Sequence, residues 1–197
     1  VPGMNLDVVN DDGESVTEQN GYLVIKSPWP GMTRGLLNDD QRYIETYWSK
    51  FENIWFHGDY VLKDEDNLWY MQGRTDDVIN VSGHRMSTAE IEHTVISHKK
   101  ISDAASIAIP DEITGEAIVV FFVAENKDDT NLENEITEHI SKKIGKIAKP
   151  RFIIQLTDLP KTRTGKIMRR LLKSKILGKS LGDLSSLENP HILNEIQ

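Results

Sequence analysis

The residues best equipped for chemistry lie in Pro160-Lys161-Thr162-Arg163-Thr164-Gly165-Lys166, followed by Ile167-Met168-Arg169-Arg170. This is a short basic stretch with one glycine, and it leads into a helical pattern. A lysine on such a loop can carry a mobile point charge to a phosphate. Its ammonium stays protonated at neutral pH, and its stem reaches past the backbone. Between Asp158 and Asp183 stand eight Lys/Arg and no Asp/Glu, in a chain whose net charge is -8. The other 15 of the 23 basic residues are set against 31 acidic ones. Positive charge is therefore concentrated here. Read as the start of a helix, Lys166 also opposes the macrodipole, which points to a use elsewhere. The plain alternative is a basic helix start.

Three further groups have suitable chemistry. Gly58-Asp59 ends a strand pattern, where a carboxylate can accept from both hydroxyls of a cis-diol such as ribose. In Gly73-Arg74-Thr75-Asp76-Asp77, Arg74 offers a planar fork for a diol or a phosphate. In Val81-Ser82-Gly83-His84-Arg85, a glycine leaves bare backbone for a ligand to pass, Ser82 can donate, and Arg85 can meet a phosphate. Taken singly, each also reads as an ordinary turn or a solvated surface loop.

The elements that must position these groups follow from pattern. Leu6 to Val9 and Tyr22 to Ile25 read as strands, with a turn at Asn10-Asp11-Asp12-Gly13. Pro28-Trp29-Pro30-Gly31 blocks regular structure. Asp39 to Trp48 reads as an aromatic-rich helix, and Trp55 to Tyr60 as a strand that breaks at Gly58. A hairpin turns at Asp64 to Asn67. A boundary near Gly73 to Asp77 divides the chain into 1–75 and 76–197, with a hinge at Asp76. Ser87 and Glu90 form a capping box, stapled by Met86 and Ile91, for a helix running to about Ser97. Ala104 to Ile109, Ala117 to Ala124 and Phe152 to Ile154 read as three strands. Thr130 and Glu133 cap a helix whose Leu132, Ile136, Ile140 and Ile144 recur every four residues, up to Gly145. A last helix is expected from Lys166 to Gly178, with a polar tail from Ser180 wrapping the surface. The class expected is α+β: a short sheet with helices on it.

Bulk composition bounds the function. With 38% hydrophobic and 27% charged residues, a folded core is expected. No window of ~18 uninterrupted apolar residues exists, so no membrane-spanning helix is expected. The net acidity argues against general nucleic-acid binding. The basic 161–179 stretch also lacks interleaved aromatics. With no cysteine, thiolate nucleophiles and Cys-type zinc sites are excluded, and the chain fits a reducing, cytoplasmic setting. Val1-Pro2-Gly3 lacks Met and any signal pattern, so the chain reads as a piece of something longer.

In this order the motifs resemble the C-terminal part of the adenylate-forming enzymes, and among them the AMP-forming acetyl-CoA synthetases. The residues that carry the resemblance are Ser27 to Gly31, His57-Gly58-Asp59, Gly73 to Arg85, Thr88 to Glu92, Pro160 to Arg170, and the tail Leu181 to Leu187. The resemblance implies two half-reactions. A carboxylate attacks the α-phosphate of ATP to give an acyl-adenylate, and the thiol of coenzyme A then displaces AMP. It also implies that 1–75 end a large N-terminal domain with a β-barrel-like part. The remainder, 76–197, is then a mobile small domain holding a β-hairpin and a three-stranded sheet covered by helices. It assigns Asp59 and Arg74 to the ribose, Arg85 to a phosphate, Asp76 to the hinge, and Lys166 to adenylation. Ser82, Gly83 and His84 are assigned to the coenzyme A passage. A magnesium ion is placed at the main-chain oxygens of Ile96 and Ile101 and at His98. Lys166 is further implied as an acetylation target of an acetyltransferase and a deacetylase.

Two departures from the pattern stand out. Ser141, beside Lys142 and Lys143, occupies a position where an arginine often contacts coenzyme A, and His57 replaces a hydroxyl residue. The expectations are an acetate–CoA ligase, with propionate or another short acid as the alternative substrate, and no turnover by the 197-residue chain alone. A regulatory module that keeps the fold without turnover is the competing class. The retained Asp59, Arg74, Gly83 and Lys166 favour the ligase.

Overall fold

The computed structural model describes residues 3–125 and 131–196. The chain divides into two compact units after Asp76. The expected cap at Thr130 lies outside the described residues.

The first unit is a four-stranded antiparallel sheet in the order β1 (Leu6–Val9), β2 (Gln19–Ile25), β3 (Trp55–Lys63), β4 (Trp69–Arg74). Among the described residues these four strands form an open sheet. Its core gathers Val8, Val9, Tyr22, Val24, Ile25, Trp55, Tyr60 and Val61, residues whose branched or aromatic side chains suit a half-buried pleat. Helix α1 (Asp40–Tyr47) starts at Asp39, whose side chain accepts from the Arg42 amide at 3.3 Å. No residue of α1 is buried, and Tyr47 stacks on Trp55 at 4.2 Å.

The expected break at Gly58 does not occur. β3 runs on to Lys63, and Gly58 takes a positive φ of 88° inside it. Tyr22 faces Tyr60 and Val24 faces Phe56, so β3 bulges between those pairs. A bulge bends the strand and re-aims its side chains without ending it. The turn at 64–67 forms as expected, closed by the Asn67 amide on the Asp64 carbonyl at 3.1 Å.

The second unit is built on a five-stranded sheet, in which the expected β-hairpin extends the three expected strands. β7 (Ile101–Asp111) and β8 (Gly115–Ala124) pair antiparallel, and β9 (Phe152–Gln155) lies parallel to β8. The hairpin β5 (Val78–Val81) and β6 (His84–Ser87) joins β8 through the pair Val81 and Gly115. Pro110 continues β7 rather than ending it, opposite Glu116.

The apolar run of β8 is buried on both faces, as expected for a central strand. Ile118, Val120 and Phe122 face one cluster with Ile91 and Val95 of α2 (Thr88–Ile96) and Leu132, Ile136 and Ile140 of α3 (Leu132–Lys143). Ala117, Val119 and Phe121 face a second cluster with Leu171 and Leu172 of α4 (Arg169–Ile176). The Ser87 hydroxyl caps α2 through the Ala89 amide at 3.1 Å.

Two corrections concern the end of the chain. The last helix starts at Arg169, three residues after Lys166. The intervening residues form a tight loop, so the supposed conflict of Lys166 with the helix dipole does not arise. The tail is also not a surface wrap: Leu187, Ile192, Leu193 and Ile196 are buried in the second cluster. Among the described residues, no helix is long and apolar enough to cross a membrane.

Candidate functional site

In the first unit, the β3–β4 ladder places Asp59 directly opposite Arg74. Nη1 of Arg74 lies 3.5 Å from Oδ1 of Asp59, and Nε lies 3.2 Å from Oδ1 of Asp76. The other Asp59 oxygen faces Nε2 of His57 at 3.3 Å. The three sequence-marked residues Asp59, Arg74 and Asp76 are thus linked by one guanidinium. Gly58 makes room for it: a β-carbon there would lie 2.9 Å from Nη2 of Arg74. The Thr75 hydroxyl donates to the Gly58 carbonyl at 3.2 Å, holding the end of β4 to the bulge. A cavity of about 370 Å³ opens beside them, bordered by Tyr47, Phe56, His57, Gly58, Arg74 and Asp76. Carboxylate, guanidinium and apolar wall together suit a hydroxyl-bearing ligand, with Asp59 accepting and Arg74 donating.

In the second unit, Ser82 and Gly83 are the two-residue turn of the β5–β6 hairpin, with φ of 50° and 84°. Both central residues of such a turn need positive φ, which glycine adopts at least cost. Nothing lies within 4 Å of a β-carbon built on Gly83. Its backbone is therefore open to a ligand as well as suited to the turn. Ser82 is anchored by its amide on the Thr114 carbonyl at 2.8 Å. Ser82, Gly83, His84 and Arg85 are all exposed.

Lys166 stands on an ordered loop. Thr162 and Gly165 close a turn at 2.8 Å, and the Thr162 amide donates to the Lys166 carbonyl at 2.9 Å. The Thr162 hydroxyl accepts from the Lys166 amide at 3.1 Å. Lys161 pairs with Ile167, and Thr162 bridges to Leu187 of the tail. The Lys166 side chain is exposed and makes no ion pair among the described residues. Backbone geometry is thus fixed while the ammonium is left to act.

The stem of this loop was not visible in the sequence. The Lys161 ammonium bonds Asp103 at 2.8 Å and Asp158 at 3.0 Å. The hydrogen bond that Lys161 donates to Asp103 pushes the Lys161 pKa up, despite partial burial. Burial raises Asp158, but bonds from Lys161, the Leu159 amide and Asn189 outweigh it and leave the carboxyl below its ordinary value. Arg169 forks onto Glu92, with Nε to Oε1 at 2.9 Å and Nη2 to Oε2 at 2.6 Å. Only the run of basic residues hinted that some of them needed internal partners.

At the corner between α2 and β7, Ile96 ends the helix, His98 follows, and Ile101 opens the strand. Nε2 of His98 faces Glu135 at 3.5 Å, whereas its Nδ1 is buried without a hydrogen-bond partner. An orphaned buried nitrogen is a polar atom that a cation could satisfy. Among the described residues, no three His, Cys, Asp or Glu gather as metal ligands. Any metal here would therefore depend on backbone oxygen. Ser141 is half-buried on α3, and Lys142 and Lys143 beside it are exposed.

Residues 90–166 match the family described as AMP-binding enzyme C-terminal domain. The chain is 45% identical over 198 residues to an acetyl-coenzyme A synthetase of Pyrobaculum arsenaticum, across 99% of this chain and 30% of that protein. It is 43% identical to one of Streptomyces avermitilis, across its full extent and 31% of the relative. The chain thus spans about a third of the length of the curated relatives it matches. Among solved structures, the acetoacetyl-CoA synthetase of Streptomyces lividans superposes with a TM-score of 0.82 at 25% identity, over 97% of this chain and 30% of that one. Residues 90–166 thus carry the AMP-binding enzyme C-terminal domain, and along its length the chain is similar to a segment of acetyl-coenzyme A synthetases.

Proposed function

We propose that the chain serves a cytoplasmic acetate–CoA ligase, in which ATP, acetate and coenzyme A become acetyl-CoA, AMP and diphosphate through an acetyl-adenylate. The observation that carries this reading is the 45% identity to an acetyl-coenzyme A synthetase over 99% of the chain. The exposed Lys166, without an ion pair among the described residues and on a hydrogen-bonded loop, supports it. In this reading Asp59 accepts from the ribose hydroxyls, Arg74 donates beside it, and Arg85 meets a phosphate. As acetate attacks the α-phosphate, negative charge builds on its oxygens. The Lys166 ammonium stabilises that charge more in the transition state than in the ground state.

Residues 1–75 then belong to a large domain and 76–197 to a mobile one, turning at Asp76. The division of the chain after Asp76 supports that assignment. After adenylation, the exposed face Ser82-Gly83-His84-Arg85 receives the coenzyme A arm, and Lys142 or Lys143 replaces the arginine absent at Ser141. Ile96, His98 and Ile101 would hold magnesium, which when bound would tie the end of α2 to the start of β7. Acetylation of Lys166 would remove its charge, making the loop a target for an acetyltransferase and a deacetylase.

The test is thioester formation by the full-length protein with ATP, coenzyme A, and either acetate or propionate. Acetyl-CoA with AMP as co-product supports the reading. Preference for propionate moves the substrate, and no thioester with either acid removes the ligase assignment.

A further inference from the structure

One carboxylate joins three elements of the second unit. Glu92 of α2 is buried, and its Oε1 accepts from both the Ser106 amide of β7 at 2.7 Å and Nε of Arg169 at 2.9 Å. Its Oε2 accepts from Nη2 of Arg169 at 2.6 Å. Arg169 is the first residue of α4 and lies three residues beyond Lys166. The other leg of the loop is tied to the same strand, through Lys161 and Asp103 at 2.8 Å. Between these anchors, residues 163–166 are exposed.

We infer that Arg169, held by Glu92, is a positioning residue for Lys166. The half-buried fork fixes the exit of the loop against α2 and β7, so that the ammonium is presented in one register. The inference rests on the adenylating role proposed for Lys166.

Physical chemistry favours positioning over bulk stability as the purpose of this pair. A buried Arg–Glu pair is often replaceable by apolar residues at no cost in stability, because desolvation offsets the Coulombic gain. A two-pronged guanidinium–carboxylate contact does fix geometry, which a hydrophobic contact does not. The Glu92 hydrogen bond raises the Arg169 pKa, with burial opposing it, so the charge persists at all working pH. Placement matters at a reacting phosphate, where a displacement of about 1 Å can cost on the order of 10²-fold in rate.

Two variants of the full-length protein test this: Arg169→Lys, which keeps the charge but loses the fork, and the double change Glu92→Met with Arg169→Met, which keeps a packed interior. In both, kcat for acetate-dependent ATP–pyrophosphate exchange should fall on the order of 10²-fold. KM for ATP and thioester formation from supplied acetyl-adenylate should stay within about twofold. Hydrogen exchange in the peptide covering 160–168 should quicken, while that of β8 is unchanged. Equal losses in both half-reactions, or a loop as protected as in the wild type, would overturn the inference. A wild type without exchange activity sinks the ligase reading instead, and amide protection of the loop then decides the role of the pair.

Discussion

The β-carbon that Gly58 lacks would stand 2.9 Å from Nη2 of Arg74, the residue facing Asp59 across the β3–β4 ladder. The glycine is therefore the space in which the guanidinium lies, as well as a residue at φ of 88°. Gly58→Ala should displace Arg74 and strain the bulge by about 1–2 kcal/mol. Affinity of the full-length protein for AMP should fall about tenfold, equivalent to about 1.4 kcal/mol. Titration calorimetry reads this directly, and unaltered AMP affinity in a folded variant would dissociate Arg74 from the nucleotide.

Gly83 answers the same question differently. Its surroundings are open: the β-carbon of Gly83→Leu meets no atom within 4 Å, and the backbone carries the strain of positive φ. If the β5–β6 turn borders the coenzyme A passage, the variant should lose thioester formation while keeping pyrophosphate exchange. Measuring both half-reactions separates them. Equal retention of the two steps would take the hairpin out of the passage.

Ile192 is 1% exposed and packs in the cluster beneath α4. Ile192→Ala should cost about 2–5 kcal/mol. Because Thr162 bridges to Leu187, and the Lys161 amide donates to Asn189 at 3.1 Å, the Lys166 loop should loosen with the tail. Urea unfolding checks the first statement, and an unchanged midpoint would show that the tail is not part of the core.

How much of this was legible in sequence depended on the range of the interactions. Leu132, Ile136 and Ile140 announced α3 because all three answer to one buried face, and the apolar run of β8 announced a strand. The β5–β6 hairpin came from the family resemblance and could not be read from residue pattern. Its strands have four residues each, and the polar His84 and Arg85 resemble a loop. The start of α4 was misplaced because the bonds that delay it run across a turn, from Thr162 to Lys166 and from Met168 to the Pro160 carbonyl. Glu92 and Arg169 are 77 positions apart, and only folding shows that the two charges neutralise each other. The chemistry-bearing residues were easier to find, since Asp59, Arg74, Gly83 and Lys166 sit on turns, bulges and strand ends whose glycines mark them.

Acid should weaken the anchor of the loop in a defined sense. The folded pKa of Asp158 lies below its ordinary value of 3.8, so its contribution is present above that value and is lost as pH falls through the lower, folded pKa. Lys161 is shifted upward from 10.5, so its part is present below that value and is lost only in stronger alkali. Asp158→Asn should therefore lower Tm at pH 7 by a small margin, under about 1 kcal/mol because the side chain is half exposed. The difference from wild type should vanish once pH falls below the folded pKa of Asp158. A gap that persists in acid would assign the effect to the asparagine side chain rather than to the charge.

The central claim is that the Lys166 ammonium serves adenylation. Acetate-dependent ATP–pyrophosphate exchange by the full-length protein, wild type beside Lys166→Ala, tests it most directly. The predicted result is robust exchange in the wild type and a loss of roughly 10²–10³-fold in the variant, with thioester formation from supplied acetyl-adenylate retained. Exchange in Lys166→Ala at the wild-type rate would contradict it.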